Sequence, residues 1–145
     1  MAVRDEEIIE ANFVINFAVD IENITSIASS YITLYFNLNS FLKTKDTDLT
    51  KPEAIEILIN EQKSDFEAFK NFLNSIRILA NKIFIRYQIL KNEYAFEDVE
   101  KEYNDIFSEE IIEPKKLTEL ITKFNKAYYK ISDEVRMLRN KVKQI

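Results

Sequence analysis

Not one glycine occurs among the 145 residues of this chain, and that absence restricts the fold more than any motif present. Tight two-residue hairpins need positive φ at their central positions and draw on Asn-Gly, Asp-Gly or Gly-Gly. A fold built on hairpins is therefore hard to assemble here. Strand-like text does occur: in SSYITLYFNLNSF, residues 29–41, Ile32, Leu34, Phe36 and Leu38 fall on alternate positions with Thr33, Asn37 and Asn39 between. A longer period runs through it. Phe17, Ile21, Ile24, Ala28, Tyr31, Tyr35, Leu38 and Leu42 step by four and three without losing phase, which is a heptad stripe. It predicts one helix over about residues 5–43, ~58 Å long at ~1.5 Å per residue. Ile27, Leu34 and Phe41 form a second row beside the first, so this helix is expected to be buried on more than one side.

Residues 43–51, KTKDTDLTK, are polar, and Thr50-Lys51-Pro52-Glu53 has capping-box spacing with proline in the first turn. A second long helix is predicted from there. Its stripe reads Ile55, Ile59, Gln62, Phe66, Phe69, Leu73, Ile76, Ala80, Ile83, Tyr87, Leu90, Tyr94, with Gln62 the one polar member, expected to set register or to sit near an end. Past Tyr94 the phase slips, which predicts a turn near 92–96. Phe96, Val99, Tyr103, Ile106 and Phe107 then make a new stripe for a short helix over roughly 96–111, with Pro114 at its end or in the first turn of the next. The last helix carries Leu117, Ile121, Phe124, Tyr128, Ile131, Val135, Leu138, Val142 and Ile145. Short connections make successive helices antiparallel neighbours. The expected fold is all-α: a single domain forming an elongated antiparallel bundle of four helices, the third short. A long helix facing a short one leaves apolar stripe uncovered, so weak self-association is an open expectation.

Cysteine, histidine and tryptophan are also missing. Without Cys or His there is no zinc finger, thiol nucleophile, Ser-His-Asp triad or helical Glu-x-x-His site, and without Gly there is no P-loop or Rossmann fingerprint. No pair of carboxylate, Tyr and Lys side chains is placed for acid/base work by spacing alone. A non-enzyme without catalytic, cofactor or metal residues is expected. The N-terminus MAVRDEE has no apolar h-region and no run approaches the ~20 apolar residues of a membrane span, so a soluble protein in an intracellular or virion setting is expected.

Charge is unevenly distributed. Residues 92–113 hold Lys101 alone against nine acids, whereas residues 114–145 hold nine bases against three acids. Acids at helical spacings repel one another, which suggests something basic opposite. Three readings of the acidic segment stand side by side: a solvated face paired with the chain's own basic last helix; a surface, carried by Glu97, Glu100, Glu102, Asp105 and Glu109, for a basic partner; and a metal site, for which helical carboxylates without His are weak ligands. The basic end RMLRNKVKQI, with Arg136, Arg139, Lys141 and Lys143, complements a helix dipole or reaches a partner. Sequence-specific binding to nucleic acid is disfavoured because these bases alternate with core positions in an acidic protein.

The length, the Gly- and Cys-free helical text, the richness in Ile, Asn, Lys and Glu, and the two ends MAVRDEEIIEANFVINF and RMLRNKVKQI resemble the RNA polymerase inhibitor family of Acidianus two-tailed virus. The likeness spans the whole chain and contains no short motif, so it assigns no residue a role. It implies a viral four-helix-bundle protein, related to a virion coat protein, that binds the host archaeal RNA polymerase in or near its DNA-binding channel and blocks transcription. The implied setting is the host cytoplasm, and the virion as well. The alternative function is that of a structural coat protein of helical-bundle type.

Overall fold

A computed structural model describes the backbone of residues 5–144 and the side chains of residues 10–144. It is all-α, and the described residues contain no strand. Five helices occur: α1 (Asp5–Lys43), α2 (Glu53–Glu61), α3 (Lys63–Tyr94), α4 (Glu100–Phe107) and α5 (Pro114–Lys143). The strand-like stretch 29–41 lies wholly inside α1. Of its heptad stripe, every member from Phe17 to Leu42 is buried except the half-buried Tyr35, and Ala11, Val14 and Ala18 extend it toward the N-terminus.

The expected count of four is corrected to five because the second helix breaks at Gln62 (φ −137°, ψ 44°). Backbone bonds continue on either side, Gln62 N–H to the Leu58 carbonyl at 2.8 Å and Phe66 N–H to the Gln62 carbonyl at 2.9 Å, yet the buried face changes. Before the break Ala54 and Leu58 are buried and Ile59 is 49% exposed; after it Phe66, Phe69 and Leu73 resume the stripe. Leu58, Gln62 and Phe66 are separated by two consecutive four-residue steps, about 80° of drift on a straight helix of 3.6 residues per turn. The turn at Gln62 absorbs that drift. The capping box is corrected too: α2 has Pro52 at its N-cap with no side-chain cap, and Glu53 accepts instead from the hydroxyl of the buried Thr47 at 3.1 Å. Asn39 of α1 fixes the same loop by accepting from Leu49 N–H at 2.9 Å. The third helix is shorter than the predicted 96–111, and Pro114 begins the last one. Ile145 lies outside the described residues.

Contacts give the relative directions. Phe17, Asp20 and Tyr31 of α1 meet Tyr87, Arg86 and Phe69 of α3, so these helices are antiparallel. Phe84 and Arg77 of α3 meet Tyr103 and Phe107 in turn, which runs α4 back along α3. Tyr87 and Tyr94 of α3 meet Phe124 and Glu134 of α5, which makes those two parallel. Helix α1 packs on both α3 and α5, and the interior is continuous from Val14 to Val135.

Candidate binding face around the acidic helix

Helix α4 is too short to hold itself, since eight residues fall below the ~12–15 at which an isolated helix becomes even marginal. Its position is set by α3. That helix ends on Ala95 in the left-handed region, where Phe96 N–H reaches back to the Lys91 carbonyl at 2.9 Å, the bond of a Schellman-type stop. Phe96 then packs edge-on against Phe17. The Tyr87 hydroxyl donates to the Glu97 carbonyl at 2.8 Å, and Phe84 stacks on Tyr103 with centroids 4.2 Å apart. At the far end the Arg77 guanidinium donates to the carbonyls of Phe107 at 3.0 Å, Glu110 at 2.9 Å, and Glu109. A cation there satisfies carbonyls left over at the end of a helix and complements its dipole. The Tyr31 hydroxyl, deep in the interior, donates to the Ile112 carbonyl at 2.6 Å and closes the segment onto α1.

With α4 fixed, the acids on it and on the segments flanking it divide into two sets. One set pairs with α5. Lys123 reaches Glu102 at 2.5 Å and Glu97 at 3.9 Å; one heptad earlier, Lys116 reaches Glu109 at 3.2 Å and Glu113 at 3.9 Å. The hydrogen bond that Lys123 donates to Glu102 raises its ammonium above the ordinary value, and the one that Lys116 donates to Glu109 does the same there. The second set, Glu100 and Asp105 with Glu110, is exposed and makes no ion pair among the described residues. Asp98, one residue before the N-cap Val99, accepts from Glu100 N–H at 3.0 Å at the start of α4.

Two grooves border this segment. One, of about 770 Å³, is lined by the apolar groups of Tyr35, Pro52, Ile55 and Ile111 and by the charged groups of Glu109, Glu110, Glu113 and Lys51. The other, about 780 Å³, lies between α4 and α5, where Asp98, Glu102 and Asp105 face Lys116, Lys123 and Lys126. The first is amphipathic, its charged lining acidic on balance, three acids to Lys51. The second mixes both signs and largely neutralises itself. Among the described residues no group of three or more acids is arranged to hold a metal ion.

The structure does not bring the two predicted clusters together. Arg136 forms an exposed pair with Asp133 at 2.6 Å, Arg139 and Lys141 are half-buried, and Lys143 is exposed. All four lie beyond Glu134, which accepts from Tyr94 at the C-terminal end of α3, whereas Arg77 is in the middle of that helix. Pairing with the chain's own basic last helix was among the three readings of the acidic segment and holds for part of it; sequence reading missed which lysines do it, and the roles of Arg77 and the Tyr31 hydroxyl. For Lys116 and Lys123 a signal existed, since they stand seven apart opposite an acidic helix. A lone arginine beside an apolar stripe gives none. No helix among the described residues is long and apolar enough to cross a membrane. No protein-family model matches the chain, and no curated protein or solved structure does.

Proposed function

We propose that this is a non-catalytic viral binding protein that docks its acidic face in or near the DNA-binding channel of the host archaeal RNA polymerase and inhibits transcription. The observation that carries the reading is the set of carboxylates left over after α5 has neutralised its share: Glu100, Asp105 and Glu110 are exposed and make no ion pair among the described residues, and Glu110 also lines the groove formed with Tyr35, Pro52, Ile55 and Ile111. A channel that holds polyanion presents the complementary charge. The sequence-wide resemblance supplies the identity of the partner. In this reading α1, α3, the segment 95–113 with α4, and α5 are the four antiparallel arms of an elongated bundle, with α2 folded over one end.

The test is a titration of purified host polymerase in a promoter-directed transcription assay. Reversing Glu100, Asp105 and Glu110 to Lys leaves the Lys116 and Lys123 pairs intact, so it changes the face and spares the fold. Potency is expected to fall about tenfold or more at low salt and to lose its salt dependence. If the unaltered protein fails to inhibit, the proposal falls. Higher assembly without any effect on transcription would mark a coat subunit instead.

A further inference from the structure

The outer face of α3, opposite the core, gathers three of the exposed large apolar side chains of the described residues. From Asn71 to Asn92 its exposed positions are Asn71, Asn74, Ile78, Asn81, Lys82, Ile85, Ile89 and Asn92, so Lys82 is the one charge among them, in a chain in which 31% of residues are charged. The face holds large apolar groups that water covers: Ile78 is 61% exposed, Ile85 52% and Ile89 62%. The solvated face of α1 from Asn23 to Ser40 is also free of charge but is made of Asn, Ser and Thr with Phe36 the one large apolar group, whereas depletion of charge around several exposed apolar side chains is the composition of an interface centre.

The order of residues on this face identifies the occupant. Asn71, Ile78, Ile85 and Asn92 follow one another at seven-residue intervals and read the same in both directions. A two-fold axis between Asn81 and Lys82 places Ile78 against Ile85 of a second chain, twice, and Asn71 against Asn92, twice. It also sets Asn74 against Ile89. Such self-complementarity is what an isologous interface demands. We infer that α3 is the contact of an antiparallel homodimer, formed by Ile78 and Ile85 packing reciprocally across a two-fold axis at Asn81–Lys82. This face borders the acidic helix, since Asn81 accepts from the Tyr103 hydroxyl of α4 at 3.5 Å, but the inference does not rest on the proposed function. About ten residues a side take part, against roughly 20–30 in a standard interface, so the dimer is weak and concentration-dependent. Lys82 stands next to its own symmetry mate, and the two ammonium groups repel. Salt therefore tightens this dimer, opposite to an association driven by charge attraction.

Sedimentation equilibrium of the full chain over rising concentration reads the proposal directly. Expected are a monomer–dimer equilibrium that strengthens with salt and with Lys82→Gln, and a weakening of about tenfold or more with Ile85→Glu. Because Ile85 is half exposed, the circular dichroism melt of that variant should be unchanged. The chain has no cysteine, so disulfide trapping gives a second readout. A mixture of Ile78→Cys and Ile85→Cys chains should cross-link on mild oxidation faster than either alone, since a disulfide requires Cβ atoms ~3.5–4.5 Å apart. A monomer at every concentration overturns the inference. So does a dimer indifferent to Ile85→Glu, or cross-linking no faster in the mixture than in its components.

Discussion

Ala95 sits at φ 55°, ψ 47°, and Asp46 at φ 57°, two places where most chains would use glycine. For an L-residue the left-handed region costs roughly 1–2 kcal/mol, partly offset here because alanine leaves fewer unfolded conformations than glycine. Ala95→Gly should therefore raise stability by about 0.5–1 kcal/mol. A urea melt measures it, and a loss of stability would show that the αL position is not strained. Two buried phenols make a second residue-scale prediction. Burial raises Tyr31 well above the ordinary tyrosine value; burial first, and then the charges of Glu97, Asp98 and Glu102, push Tyr87 up to about 12. A folded value above the unfolded ~10 means that the native state favours the neutral phenol. Stability is complete below about pH 10 and declines as the pH rises through the folded values. Urea midpoints collected upward from pH 9 should fall in that window, and Tyr87→Phe should flatten the decline; a level profile would place both hydroxyls in water.

At the scale of the element, α4 is held by a side chain of its neighbour rather than by its own propensity. Arg77 is the latch. Removing it with Arg77→Ala leaves the carbonyls of Phe107, Glu109 and Glu110 without their shared donor and should cost about 2 kcal/mol, within the range for hydrogen bonds to a charged group. Hydrogen exchange localises the effect: amides of α4 should exchange at least about tenfold faster while those of α3 and α5 stay protected. Uniform acceleration would make Arg77 a general stabiliser, and no acceleration would remove it from the account. Helix α4 also shows the limit of pattern reading. Val99 and Ile106 could be recognised as its buried face, but its termini could not, because Asp98 and Arg77 define them and Arg77 comes from about thirty residues upstream. The break at Gln62 was hidden for a related reason. The text from Ile55 to Phe66 keeps a regular four-three step, and the choice of Leu58 over Ile59 for burial depends on where α1 has already ended.

For the whole molecule, α1 carries the organisation. It packs on α3 and α5, pairs Asp20 with Arg86, and sends the Tyr31 hydroxyl to Ile112. The C-terminal end of α5 is peripheral by comparison, with Leu138 and Val142 half-buried. Removing residues 139–145 deletes Val142 from that margin and should cost about 1 kcal/mol, or roughly 2–5 °C in Tm. The truncated protein should stay helical and, if the tail touches acidic polymerase surface, inhibit less. A thermal melt beside the transcription assay distinguishes the outcomes: a collapsed melt makes the end structural, and full inhibition with an unchanged melt removes it from the mechanism. Sequence alone determined the helical class, the seams from Phe17 to Leu42 and from Phe66 to Leu90, and the charge imbalance between α4 and α5. Those are properties of a 3.6-residue period and of composition, which a chain carries whatever it packs against. Only the tertiary structure decided that Lys116 and Lys123 absorb part of the acidic segment, that Arg77 closes α4, and that Ile78, Ile85 and Ile89 are left facing water. Each of these depends on which residues, distant in sequence, arrive at the same place, and no local repeat encodes that distance.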